Sequence, residues 1–167
     1  MDITFKTPEG VFNYRVCAIL IRNEKLLVMK DERSPYYYLP GGRVTLNETA
    51  EKAVLREIKE ELEIDAKIVR PLWLNQSFFT EDVNHEKYHE LCLYFLIDVS
   101  DTDLLSRENN FVLTENGTHN HIFSWMPFCE LNKNYLYPEF IKKRIFNLPT
   151  NLEINTELSD EHNQSPI

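Results

Sequence analysis

The chain has 167 residues, 43% of them hydrophobic, and this suits a single domain with a substantial core. Its formal net charge is -9, so the composition argues against unassisted binding to duplex nucleic acid. The three cysteines, Cys17, Cys92 and Cys129, are far apart, as is typical of reduced thiols rather than disulfides. Neither a signal-peptide pattern nor a long hydrophobic span is visible, so we expect a cytoplasmic protein with no membrane partner.

The first part of the chain predicts a β-hairpin. Two extended runs, Val11–Ile21 and Lys25–Lys30, are joined by a short polar turn at Arg22-Asn23-Glu24. The apolar stretch Ala18–Ile21 indicates a strand that is covered on both faces. After a polar loop, the chain turns at Pro40-Gly41-Gly42.

An amphipathic helix is predicted soon after this turn. Thr49 is the expected N-cap, and the residues that follow are rich in strong helix formers. At about 100° per residue, the apolar positions form one stripe. Its members are Ala50, Ala53, Val54, Ile58 and Leu62.

Three glutamates make this helix unusual. Glu57 and Glu61, one turn apart, project with the apolar stripe, and Glu60 lies at its edge. Neighbouring carboxylates repel one another, and a buried ionised carboxylate without a partner is costly, so the pattern favours a bound cation over a solvated acidic face. Oxygen ligands without His or Cys suit Mg²⁺ or Mn²⁺ better than zinc.

The remaining elements are mostly strands. Ala66–Leu74 and Gln76–Thr80 predict one long, bent strand, and the very hydrophobic Leu91–Val99 predicts a central strand. Asp101–Asn120 is a polar connection, long enough to be a functional loop.

The C-terminal part predicts a short strand at Ile122–Phe128 and a helix at Tyr137–Phe146, with Pro138 in its first turn. The last residues are polar and acidic without periodicity. We therefore expect one domain at residues 1–150 and a flexible tail at residues 151–167.

Residues 42–64 resemble the Nudix box, G-x(5)-E-x(7)-R-E-U-x-E-E-x-G-U, in which U is aliphatic. The matching residues are Gly42, Glu48, Arg56, Glu57, Ile58, Glu60, Glu61 and Ile64. Glu63 replaces the last glycine and is the one departure. So many fixed positions at fixed spacing make the match to the Nudix (MutT-like) hydrolase family specific.

This resemblance implies an α/β fold, the Nudix-type α/β/α sandwich with a mixed β-sheet between helices. It also implies an Mg²⁺- or Mn²⁺-dependent hydrolase that cleaves the pyrophosphate bond of a small nucleoside diphosphate linked to another group. The alternative is a non-catalytic Nudix-like nucleotide-binding or regulatory domain, which the retained carboxylates disfavour. The number of metal ions and the oligomeric state, a homodimer included, stay open.

The resemblance also assigns roles to individual residues. Glu57, Glu60 and Glu61 would hold the metal, with the backbone carbonyl of Gly41 as a further ligand. Arg56 would orient the carboxylates as a member of the catalytic site, although a purely structural salt bridge to Glu48 is an equal alternative.

The general base and the substrate are less well defined. Family members use either a box glutamate or a loop carboxylate as the base, and Glu115 is the nearest loop candidate. The proline that ADP-ribose enzymes often carry downstream of the box would fall near Thr80, so this marker does not select a substrate.

Overall fold

The computed structural model describes residues 1–158, apart from residues 83, 116 and 118 and the side chain of residue 115. In chain order the strands are β1 (Thr4–Thr7), β2 (Gly10–Ile19), β3 (Ile21–Arg22), β4 (Lys25–Asp31), β5 (Gly41–Arg43), β6 (Lys67–Thr80), β7 (Lys87–Asp98), β8 (Asn110–Glu115), β9 (His119–Pro127) and β10 (Glu153–Leu158). The α-helices are α1 (Ala50–Leu62) and α2 (Ile141–Arg144), and 3-10 turns lie at Leu104–Ser106 and Phe128–Lys133.

The strands form a large mixed sheet and a smaller antiparallel one. The large sheet has the order β1-β2-β7-β6-β10, and β5 pairs with β2 beside this path. The pairs β2–β7 and β6–β10 are parallel, and the other pairs in the sheet are antiparallel. The small sheet has the order β3-β4-β9-β8.

Two hydrophobic clusters lie on opposite faces of this strand layer. Ala53 and Ile58 of α1 pack in one cluster with Val16 of β2. Ile141 of α2 packs in the other with Ile19 of β2. Helices thus cover both faces of a mixed sheet, and the predicted α/β/α sandwich is confirmed.

The central strands follow their apolar patterns. β7 lies between β2 and β6, as its hydrophobic run predicts. β6 is one long strand. Its register with β7 shifts twice, between Ile68 and Arg70 and between Pro71 and Trp73, so the predicted bend is present.

The structure differs from the sequence predictions in the hairpin. The first run is divided between β2 and β3, which belong to different sheets, and only β3 pairs with β4. Asn23 and Glu24 form the turn, with φ of 48° and 56°. The hairpin prediction is therefore correct for β3 and β4 and wrong for β2.

The C-terminal half of the chain differs from the sequence predictions more than the hairpin does. β8 lies within the predicted connection, and half-burial of Phe111 and Leu113 against the α1 cluster explains why this segment becomes a strand. A helix was predicted at Tyr137–Phe146, but the α-helix in the structure, α2, spans only Ile141–Arg144.

The expected tail is a strand over part of its length. β10 pairs parallel with β6 from Glu153 to Leu158. The side-chain amide of Asn155 also donates to Asn75 Oδ1 at 2.7 Å. Polar residues on an edge strand lack an apolar signal, so the sequence does not reveal this pairing. Residues 159–167 lie outside the described range.

Neither α1 nor α2, the two α-helices in the described part of the chain, has the length and hydropathy needed to span a bilayer.

Candidate active site

Strand β5, which stands where a turn at Gly41 and Gly42 was predicted, and helix α1 position the candidate site. Thr49 caps α1 as predicted, because its side chain accepts a hydrogen bond from the backbone N–H of Lys52 at 3.3 Å. Gly41 and Gly42 lie in β5, which pairs with β2. Gly41 has φ of 146°, a conformation that a residue with a side chain rarely adopts, and an added Cβ would meet the carbonyl oxygen of Val16.

Glu61 is the most buried acid of the helix. It is only 7% exposed, and its Oε2 accepts a hydrogen bond from the backbone N–H of Gly41 at 2.9 Å. Burial raises the pKa of Glu61 well above its ordinary value, and the neighbouring Glu57 raises it further. A cation bound here would offset both the cost of burying the Glu61 carboxylate and its repulsion by Glu57.

Glu57 lies beside Gly42, one turn before Glu61. A Cβ on Gly42 would overlap the Glu57 carboxylate, so the box glycine makes room for this acid. The Glu57 side chain is 14% exposed. Burial raises the pKa of Glu57, while the hydrogen bond from Arg56 lowers it.

Arg56 connects the acids of this region. It donates to both oxygens of Glu48, at 2.9 and 3.0 Å, and to Glu57 Oε1 at 2.7 Å. The hydrogen bonds from Arg56 are the main reason that the pKa of Glu48 falls to about 2. The predicted pairing of Glu48 with Arg56 is confirmed.

Glu60 is placed differently from the other two acids. Its side chain is 46% exposed and accepts a hydrogen bond from Arg56 at 3.2 Å. Glu57 and Glu61 are thus directed inward and Glu60 lies at the exposed edge of the stripe, as the sequence predicts.

No group of three or more His, Cys, Asp or Glu residues in the described part of the chain converges as a ready metal site. The donor chemistry nevertheless fits a hard divalent cation. Glu57 and Glu61 supply carboxylate oxygens on one side of α1, both have raised pKa values, and small residues leave room beside them.

The candidate base is not resolved by the structure. Glu115 ends β8 opposite His119. Its side chain lies outside the described residues, so the role of Glu115 stays a prediction.

Arg15 is a feature of the site that the sequence analysis missed. It lies on β2 opposite Arg43 of β5. Cys17, two residues further along β2, is opposite Gly41. Its positive charge lowers the pKa of Glu57 and of Glu61, although burial outweighs it in both. Its Nε lies 4.0 Å from Glu90 Oε2. Arg15 follows Asn13 and Tyr14 in β2, and nothing in this local pattern marks it as part of the site.

A family model for the NUDIX domain matches residues 11–146, which include most of β2, strands β3 to β9 and both α-helices. The chain belongs to the NUDIX family. This Nudix domain includes Arg56 and all three acids of its box helix.

Individual relatives agree with this assignment. An ADP-ribose pyrophosphatase of Methanocaldococcus jannaschii is 32% identical over 87 residues, which are 50% of this chain and 49% of the relative. Putative nudix hydrolase 1 of Caenorhabditis elegans is 28% identical over 180 residues, covering 89% of this chain and 49% of the relative. The chain spans about half the length of the curated relatives it matches.

The fold also matches solved structures. A MutT protein from Bacillus halodurans superposes with a TM-score of 0.57 at 12% identity, over 89% of this chain and 92% of that one. At this identity the likeness concerns the fold alone.

Proposed function

We propose that this Nudix domain hydrolyses the pyrophosphate bond of a nucleoside diphosphate linked to another group, with Mg²⁺ or Mn²⁺ as cofactor. The products would be a nucleoside monophosphate and a phosphorylated second group. The observation that best supports the proposal is the pair Glu57 and Glu61, held with raised pKa values against Gly41 and Gly42 of β5.

Glu57, Glu60 and Glu61, with the carbonyl of Gly41, are the proposed metal ligands. A bound Mg²⁺ or Mn²⁺ would neutralise the charge of the diphosphate and favour ionisation of the attacking water. Glu60 would have to leave Arg56 and turn toward the other acids. Because its side chain is half exposed, this rotation requires no repacking of the core.

Arg56 is proposed to orient the acids rather than to touch the substrate. Its two hydrogen bonds to Glu48 fix the guanidinium, which then holds the Glu57 carboxylate. A lysine cannot reproduce this arrangement, because it lacks the planar fork of donors. The proton of the attacking water would pass to a carboxylate, for which Glu115 and the box glutamates are the candidates.

A substrate panel tests the proposal. The protein is incubated with ADP-ribose, other nucleoside diphosphate derivatives and nucleoside triphosphates in Mg²⁺ or Mn²⁺, and released nucleotide is measured. ADP-ribose belongs in the panel because the archaeal relative is named for it. We expect metal-dependent cleavage of at least one diphosphate derivative.

Variants of α1 provide the controls. Glu61→Gln and Glu60→Gln should each lower kcat by at least about a hundredfold, the scale of losing a group that stabilises transition-state charge. Glu51→Gln changes an exposed acid on the same helix and should leave the rate near that of the wild type. If ligands of the panel stabilise the protein against heat but none is cleaved, a nucleotide-binding module is the better description.

A further inference from the structure

Two arginines face each other across strands β2 and β5. Arg15 and Arg43 are directly opposite in the antiparallel register of these strands, so their side chains leave the same face of the sheet. Like charges in directly opposite positions destabilise a sheet. An anion bound by this arginine pair would remove the repulsion.

The acids of the chain do not satisfy the arginine pair. The Nε of Arg15 lies 4.0 Å from Oε2 of Glu90, which is too long for a hydrogen bond, and no other carboxylate of the described residues lies as close. Arg43 donates a hydrogen bond from Nε to Asn13 Oδ1 at 3.2 Å, and its Nη1 lies 3.7 Å from Asp2 Oδ2.

Arg56 shows what a fully bonded arginine looks like in the same region. It donates five hydrogen bonds, four to carboxylate oxygens and one to a backbone carbonyl. A guanidinium has five N–H donors, so Arg56 has none left for a ligand. Within the described part of the chain, the bond from Arg43 to Asn13 is the only one that the arginine pair donates from its side chains. Both side chains reach solvent, with 30% of Arg15 and 39% of Arg43 exposed, so their donors are open to a ligand.

The arginine pair lies beside the proposed metal site. Arg43 is separated by one residue of β5 from Gly41, whose N–H donates to Glu61. Gly41 is opposite the position two residues along β2 from Arg15, a distance of about 7 Å along the strand. The charge of Arg15 reaches the acids, because it lowers the pKa of both Glu57 and Glu61. An anion on the arginine pair is therefore close to a cation held by α1.

The glycines of β5 connect the two sites. Glu57 lies against Gly42 on the face that carries α1, and side chains alternate along a strand, so Arg43 projects from the other face. Gly41 and Gly42 have no side chains, so along β5 only backbone separates the acids from the arginine pair. β5 has β2 as its one strand partner in the described part of the chain, and this edge of the sheet gives a ligand access to both faces.

We propose that the arginine pair binds a phosphate group of the substrate, which makes Arg15 and Arg43 substrate-contacting residues. The identity of the ligand rests on the proposed function. Planar guanidinium forks match the oxygens of a phosphate and form charge-assisted hydrogen bonds with them. A diphosphate has two charged groups joined by one oxygen, so one group lies on the metal and the other on the arginine pair.

Binding of inorganic pyrophosphate tests the arginine pair without turnover. In EDTA and at low ionic strength, pyrophosphate should raise the Tm of the wild type more than NaCl of matched ionic strength does, and calorimetry should give its dissociation constant. Arg15→Gln and Arg43→Gln should each raise that constant by at least about tenfold, because each removes a charge and a fork of donors. Lys67→Gln, which removes an exposed positive charge at the start of β6, is the matched control and should bind like the wild type.

Turnover and metal binding separate this role from that of the acids. For a substrate that the panel identifies, both arginine variants should raise KM by at least about tenfold at saturating Mn²⁺. The rise in Tm with Mn²⁺ should be kept in both variants, since neither arginine is a metal ligand. Arg43 is 39% exposed, so Arg43→Gln leaves the core intact and distinguishes lost binding from lost folding.

Three results would overturn the proposal. These are a wild type that pyrophosphate stabilises no more than NaCl does, an arginine variant that keeps the wild-type affinity, and an equal loss of binding in Lys67→Gln. Failure of the proposed hydrolysis looks different. In that case no substrate of the panel is cleaved, while pyrophosphate still binds the wild type and is lost from the arginine variants.

Discussion

Glu63 ends α1 in the left-handed region, with φ of 59° and ψ of 31°. Its backbone N–H donates a hydrogen bond to the carbonyl of Lys59 at 3.1 Å. Glu63 thus occupies the C-terminal position that glycine usually takes, although it has a Cβ. The glutamate also places a negative charge at the negative end of the helix dipole. Both effects are unfavourable at this one residue.

Glu63→Gly should therefore raise the free energy of unfolding by about 1 kcal/mol, because glycine has no steric penalty in this conformation. Urea denaturation measures the change. Glu63→Gln removes the charge but keeps the Cβ, so it should recover only the smaller electrostatic part, a few tenths of a kcal/mol. A lower urea midpoint for the glycine variant would contradict the argument.

Glu61 should destabilise the metal-free protein as pH rises. Its pKa in the folded state is raised, so the folded state binds its proton more tightly than the unfolded chain, and stability falls between the ordinary pKa and the raised one. In EDTA, Glu61→Gln should be more stable than the wild type by about 1 kcal/mol at pH 8. The difference should vanish near pH 4, where both states of the wild type carry the proton. Equal pH profiles for the two proteins would argue against a buried carboxylate.

At the scale of elements, the loop before α1 and the helix itself are joined through Glu48. Glu48 accepts hydrogen bonds from Arg56 on the helix and from the backbone N–H of Thr45 in the loop. Its pKa of about 2 lies below the ordinary value. The stabilisation is thus fully present at neutral pH and is lost as pH falls toward 2.

Glu48→Gln should lower the free energy of unfolding by about 1 kcal/mol at pH 7, since the charged half of the contact is lost. The gap to the wild type should shrink below about pH 4, where Glu48 becomes protonated in the unfolded chain. Chemical denaturation at a series of pH values measures this. Glu9→Gln, at an exposed position outside the helix, is the control and should leave the free energy of unfolding near that of the wild type.

The elements that were predicted well are those whose causes are local. The Thr49 cap, the apolar stripe of α1 and the box spacing are all contained in one short segment, so the sequence predicts the helix and the burial of Glu57 and Glu61. The pairing of Arg56 with Glu48 was predicted for the same reason.

Elements that depend on distant partners were missed. β10 exists because Asn75 and its neighbours on β6 offer an edge about 80 residues away in sequence. β8 is stabilised by packing against the α1 cluster and by pairing with β9. Arg15 joins the site only because β2 pairs with β5. None of these pairings leaves a pattern in the local sequence.

At the scale of the whole molecule, metal binding should appear as added stability. A ligand that binds only the folded state adds about 2.7 kcal/mol at a hundredfold excess over its dissociation constant. The Tm should therefore rise with millimolar Mn²⁺ and not with KCl of matched ionic strength. Glu61→Gln should lose most of the rise, and an equal rise in that variant would place the metal elsewhere.

β10 also determines how the chain can be shortened. It covers one side of β6, and without it the backbone N–H and C=O groups of residues 73–78 would be open to pairing with other molecules. A chain ending at residue 150 should thus form aggregates that scatter light at concentrations where the full chain stays clear. The mostly polar strand β10 therefore prevents β6 from pairing with strands of other molecules.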